Sequence, residues 1–178
     1  MRMRRLALAI IGLTLLGAAG PQAKSFTLTS AAFKNGEHIP IEYTCDGADA
    51  SPLLAISGVP KKTKSFALIM DDPDAVPVIG RVADHWVMWN IPAKTTAVAM
   101  GSVPRGAVQG KALEASKYQG PCPPPGNAHR YFFRLYALNV AKLKLPAGST
   151  AAKLRSAMRG HILKETKLMG KYTAKNAM

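Results

Sequence analysis

SFALIMDDPDAVPVIGRVADHWVMWN, residues Ser65 to Asn90, sets two apolar runs on either side of a loop crowded with acid, proline and histidine. Side chains alternate across an extended strand, so Phe66, Leu68, Met70 and Asp72 are expected on one face of the first run. The same period groups His85, Val87 and Trp89 in the second. An antiparallel pairing of the two runs brings the carboxylates of Asp72 and Asp74 and the imidazole of His85 to one rim, where loops on a rigid scaffold commonly carry binding groups. The stretch therefore reads as strand, functional loop, strand, and it makes a β protein the starting expectation.

A second stretch repeats the pattern. Gly120-Pro121-Cys122-Pro123-Pro124-Pro125-Gly126 is dense in proline, which fixes its own backbone angle and restricts the residue before it, so this loop is expected to be stiff. It feeds HRYFFRLYAL, 129 to 138, whose alternation puts His129, Tyr131, Phe133 and Leu135 on one face of a strand. Two histidines thus head two predicted strands. Shorter extended segments are expected near Phe26 and Leu28, from Ile39 to Tyr43 and from Leu53 to Ile56, each closed by turn residues such as Asn35-Gly36 or Gly58 and Pro60. Residues 93 to 120 read as an ordered surface loop, with disorder as the alternative. A helix is predicted from an N-cap at Thr150 through Leu154, Ala157, Met158, His161, Ile162, Leu168 and Met169, stopping at Gly170. On that reading His161 is a hydrogen-bonded packing residue.

The chain has 178 residues and is 48% hydrophobic, enough for one domain with a real core. Residues 1 to 23 begin with Arg2, Arg4 and Arg5, run apolar from Leu6 to about Ala19 and end in small residues, the order of a secretory signal peptide. The expected organisation is a signal at 1–23 and a single domain at 24–178, exported to the periplasm or secreted. Formal net charge is +14, and removing three arginines leaves 21 Lys plus Arg against 10 Asp plus Glu, or +11. Such a balance favours anionic partners. The lysines, among them Lys61, Lys117, Lys142 and Lys164, are scattered rather than clustered with stacking aromatics, so nucleic acid is not expected as a partner. Two cysteines in an exported chain read as a Cys45–Cys122 disulfide, with a thiol nucleophile at Cys122 beside His129 as the alternative.

Three chemistries fit the polar residues at the strand ends. Two histidines and a carboxylate suit zinc, although no HExxH or compact ligand spacing is present. A nucleophilic hydrolase needs a serine or cysteine on a strained turn such as GxSxG, which is absent. An anion pocket needs only histidine and tyrosine donors with a carboxylate to orient an imidazole. Beside these stands the plain alternative that the acids cap turns and the histidines pack.

Five motifs in order then carry a family resemblance: YTCDGADASP at 43–52, MDDPDA at 70–75, HWVMWNIP at 85–92, GPCPPPGNAHRYFF at 120–133 and AMRGHIL at 157–163. Together they resemble the phosphatidylethanolamine-binding protein family, in particular its bacterial, Raf kinase inhibitor-like branch, over Ser25 to Tyr172. The resemblance implies a mainly β fold of two packed, largely antiparallel sheets with a C-terminal α-helix, and a small pocket for phosphate-bearing groups. On matching positions that pocket comprises Asp72, Asp74, His85, Pro123, Pro124, His129 and Tyr131, with no catalytic residue, no metal ligand and no cofactor. Expected partners are a phosphate-bearing small molecule or a phospholipid headgroup, with peripheral membrane contact, and a protease or kinase as the alternative partner. The family pattern DPDAP is broken here by Val76, which displaces the proline to Pro77.

Overall fold

A computed structural model describes residues 24–175; the expected signal peptide lies outside the described residues. Eight strands form two sheets. Strands β1 (Thr27–Thr29), β2 (Leu54–Ser57) and β5 (Ala97–Val98) make a small sheet in the order β1-β2-β5. The larger sheet comprises β3 (Ser65–Asp72), β4 (Ala83–Pro92), β6 (Val108–Gln109), β7 (His129–Leu138) and β8 (Ile162–Tyr172), in the order β6-β4-β3-β7-β8. All these strand pairings are antiparallel.

Period-two alternation divides the large sheet's side chains between two cores. Phe66, Leu68 and Met70 of β3 meet Trp86 and Met88 of β4 and Tyr131, Phe133 and Leu135 of β7 on one face, where Leu28, Leu54, Ile56 and Val98 of the small sheet cover them. Ala67, Ile69, Val87, Trp89, Tyr136 and Leu138 point to the other face, beneath Ala151, Leu154 and Met158 of helix α2 (Ala151–Met158). Every residue of β3 is therefore buried. Covering both faces of a central strand removes the inside-outside pattern and leaves the near-continuous apolar run seen in SFALIM.

The C-terminal segment departs from the sequence expectation. The helix starts as expected, with the Thr150 hydroxyl accepting from Lys153 N–H, but it ends at Met158. Arg159 takes extended angles (φ −56°, ψ 131°) and Gly160 the left-handed region (φ 76°). Residues 162–172 then run as β8 along the whole of β7, from Leu138↔Ile162 to His129↔Tyr172. The open edge of β7 offers a full ladder of backbone partners, which outweighs the weak helical spacing of Ile162, Leu168 and Met169. Gly170 is not a helix stop. A side chain there would run into Ile39 and Phe33, so glycine lets the 33–39 loop lie directly on the strand. His161 sits half-buried in the turn, with its Nδ1 3.0 Å from the Asn139 side-chain oxygen.

Two smaller differences complete the comparison. Ile41–Tyr43 is a 3-10 turn rather than a strand, and residues 93–120 are ordered as expected but carry the short strands β5 and β6. The turn follows from Pro40, which supplies no backbone donor to a ladder.

Candidate functional site

The functional side chains collect at the end of the large sheet where β3 finishes and β4 and β7 begin. Asp72, the last residue of β3, is only 2% exposed and uses both carboxylate oxygens. One accepts Asp74 N–H at 2.8 Å and caps the 3-10 turn Pro73–Ala75; the other lies 2.7 Å from Nδ1 of His129. Because a carboxylate only accepts, Nδ1 carries the hydrogen and the ring's Nε2 is left for other work.

His85 reaches the same place by an irregularity. In the ladder between β3 and β4, Met70 faces Trp86 but Asp71 faces Asp84, so His85 is the extra residue of a bulge. Strict alternation would have sent it with Val87 and Trp89 toward α2. The bulge turns it instead to the opposite face, where its ring meets Tyr131 edge-on at 5.2 Å between centroids. Nδ1 of His85 donates to the Gln119 carbonyl at 2.8 Å, and Gln119 N–H donates back to the His85 carbonyl at 2.9 Å. Burial pushes the His85 pKa below its ordinary value, the hydrogen bond to Gln119 only partly opposing this. At neutral pH His85 is thus a neutral imidazole with Nε2 as acceptor.

Tyr131 is fully buried, and its hydroxyl has no hydrogen-bond partner. Burial first, then the nearby Asp72 charge, raises its pKa, so the group stays a neutral O–H. An unpaired buried hydroxyl costs on the order of 1–3 kcal/mol, which marks this atom as waiting for a partner.

The proline-rich loop forms one wall. Cys45 and Cys122 are joined as expected, with Cα atoms 5.4 Å apart, which removes the thiol-nucleophile alternative. Cys45 N–H donates to the Pro121 carbonyl, and Gly120 N–H donates to an Asp49 carboxylate oxygen at 2.6 Å. Asp49 holds a left-handed backbone (φ 51°) unusual for a residue with a side chain. Pro123 is buried, whereas Pro124 is exposed on the bank of an outer groove.

Asp74 does something other than orient an imidazole. Its two oxygens bind the Arg130 guanidinium at 2.9 and 2.7 Å, and Arg130 N–H adds a third bond at 2.9 Å. That fork holds the Asp74 carboxyl below its usual pKa range. It also ties the acidic loop to the start of β7. Pro77 lies exposed in the one-turn helix α1 (Val76–Ile79).

Two grooves border the buried cluster. One, about 660 Å³, runs between Pro73, Val76 and Val78 on one bank and Pro124, Pro125 and Ala128 on the other, with His129 at its side. The second, about 530 Å³, is bounded by Cys45, Ile79, Arg81, Gln119 and Cys122. Among the described residues no group of three or more His, Cys, Asp or Glu is placed to hold a metal ion.

Sequence reasoning missed Arg130, although an arginine beside a strand-heading histidine opposite an acidic loop is a readable charge match. It also missed Gln119, which acts through its backbone and leaves no trace in residue type. A third omission lies on the α2 face. There Asp71 accepts from Arg134 at 2.9 Å and Arg155 at 2.8 Å through one oxygen, and the arginines reach on to Glu165 and Asp84. The two adjacent acids of β3 thus serve opposite faces.

The phosphatidylethanolamine-binding protein family profile matches residues 29–173, nearly all of the described chain. The chain belongs to this family. A UPF0098 protein of Methanothermobacter thermautotrophicus is 46% identical over 151 residues, covering 82% of this chain and 97% of its own. Among solved structures, a phosphatidylethanolamine-binding protein homologue from Chlamydia trachomatis superposes with a TM-score of 0.78 at 38% identity, covering 85% of this chain and 99% of that one. Escherichia coli YbcL, described as a new member of the mammalian family, gives 0.79 at 33%, covering 84% and 99%. These superpositions extend over the pairing of a small sheet with a large one.

Proposed function

We propose that this protein binds a phosphate-type anion in the cluster formed by Asp72, His85, His129 and Tyr131, and that it binds without turnover. The observation that carries this reading is the set of uncommitted polar atoms: both histidines spend Nδ1 on the scaffold, at 2.7 and 2.8 Å, and the buried Tyr131 hydroxyl has no partner. Two imidazole Nε2 acceptors and a neutral hydroxyl donor match the O–H groups and the bare oxygens of a protonated phosphate. Pro123, buried in the adjoining loop, is assigned to the wall of the site, Pro124 lines the approach, and Asp74 holds that approach in place through Arg130. Export to an oxidising compartment is part of the same reading, supported by the Cys45–Cys122 bond and the pattern of residues 1–23.

Titration calorimetry with inorganic phosphate and phosphoethanolamine tests the proposal. His85→Ala and His129→Ala are each expected to abolish measurable binding, and retained affinity in both overturns the assignment. Affinity should rise as pH falls from 8 toward 6, because the neutral His85 imidazole accepts a proton and the more protonated phosphate species, which has more protons to donate, grows as pH falls.

A second reading is inhibition of a protease or kinase; one neighbour that shares the fold, at TM-score 0.52 and 19% identity, is a carboxypeptidase Y inhibitor complexed with its cognate proteinase. It predicts a stable protein complex that survives both histidine substitutions when the contact lies outside the cluster.

A further inference from the structure

Val76-Pro77-Val78-Ile79-Gly80-Arg81-Val82 is a run of seven consecutive exposed residues. Among the described residues nine large hydrophobic side chains are exposed, and four of them fall in this run: Val78 at 55%, Ile79 at 46%, Val76 at 44% and Val82 at 39%. The run is held in shape. Asp72 caps the turn beneath it, Ala75 is buried as its anchor, and Gly80 closes α1 in the left-handed conformation with its N–H on the Val76 carbonyl. An ordered apolar ridge kept in water carries a cost, and clustering of this kind marks a contact surface.

Its surroundings narrow the occupant. The ridge stands between the two grooves, Val76 and Val78 facing one and Ile79 and Arg81 the other. It contains no acid and one exposed arginine, Arg81, and residues 24–175 carry +11, while Arg130 across the groove is paired with Asp74. A protein partner needs roughly 800 Å² per side and is commonly anchored by aromatic residues. Seven residues without an aromatic offer far less. A bilayer makes no demand for shape complementarity, takes small aliphatic side chains at the headgroup boundary and attracts cations when it contains anionic lipid.

We propose that residues 76–82 form a membrane-interface knob that seats the protein on a bilayer containing anionic lipid, Val78 and Ile79 entering the headgroup boundary. The flanking grooves then open at the level of the lipid phosphates, and His129, at the side of one of them, addresses a headgroup in place. This rests on the anion-site reading for its purpose, but its test does not.

Co-sedimentation with sucrose-loaded vesicles of phosphatidylcholine, with and without phosphatidylglycerol, decides it. The wild-type protein should pellet with the mixed vesicles, more weakly as salt is raised. Val78→Asp combined with Ile79→Asp, at exposed positions that leave the melting temperature near the wild-type value, should weaken partition by about tenfold or more. Val78→Phe should strengthen it. Soluble glycerol phosphate should leave pelleting of the wild type largely intact. Failure of the wild type to pellet, or equal pelleting of the Asp variant, overturns the knob. Failure of the wild type to bind phosphate overturns the anion site and leaves the vesicle result to be judged by itself.

Discussion

Tyr131 concentrates the conflict between stability and use. Its hydroxyl is buried without a partner, so Tyr131→Phe is expected to raise stability by about 1 kcal/mol in urea unfolding while weakening phosphate binding; a loss of stability would mean that the hydroxyl is satisfied after all. His85 supplies a second residue-level expectation. Its folded pKa is depressed by burial, so the unfolded chain takes up the proton first. Stability is complete above the ordinary histidine value of 6.5 and falls as pH drops below it toward the folded pKa. Urea midpoints between pH 7.5 and 5 should decline in the wild type and flatten in His85→Gln. The meeting of Asp72 with His129 was legible in the chain because both sit at strand ends on a simple alternation. The orientation of His85 was not, because a bulge reverses facing without changing composition, and the grip of Arg130 on Asp74 was passed over.

Strands were easier to read than the single long helix. SFALIM and HRYFFRLYAL have neighbours on both sides, and their burial matches what alternation or a continuous apolar run allows. The segment after Thr150 presents two local options. Ala151–Met158 keeps its cap and its apolar stripe of Ala151, Leu154 and Met158, while Ile162–Tyr172 satisfies its backbone by adding to β7. Helical spacing in ILKETKLMGKY rests on few residues, and the alternate burial of Leu168, Gly170 and Tyr172 is the stronger signal in retrospect. The short strands β5 and β6 left no readable pattern, since two residues cannot show a period.

At the scale of the whole molecule the Cys45–Cys122 bond spans 77 residues of sequence and links the long connection between β1 and β2 of the small sheet to the proline-rich wall of the site. Closing a loop of that size stabilises by about 4 kcal/mol on chain-entropy reasoning. Cys45→Ser with Cys122→Ser should lower thermal stability accordingly and also weaken phosphate binding, because Gln119 and Tyr131 border the freed segment; an unchanged melting curve would remove the bond's structural role. Two-sheet architecture and the disulfide were both available from sequence, through motif order and cysteine arithmetic, whereas the Asp71 cluster that joins β3 to α2 was hidden inside an apparently single acidic motif. Strand β8 lies at the rim of the large sheet, and an open rim is a template for unwanted pairing with another copy. Its second half is roofed by the 36–39 loop, with Gly36 and Ile39 N–H donating to Met169 and Lys171 and Lys171 N–H to Glu37. Its first half stays uncovered and carries Lys164, Glu165 and Lys167 at largely exposed positions. An arriving strand would have to strip water from three charges to dock there, so this edge protects the protein from fibrous self-association at the high local concentrations that crowding on a surface would create.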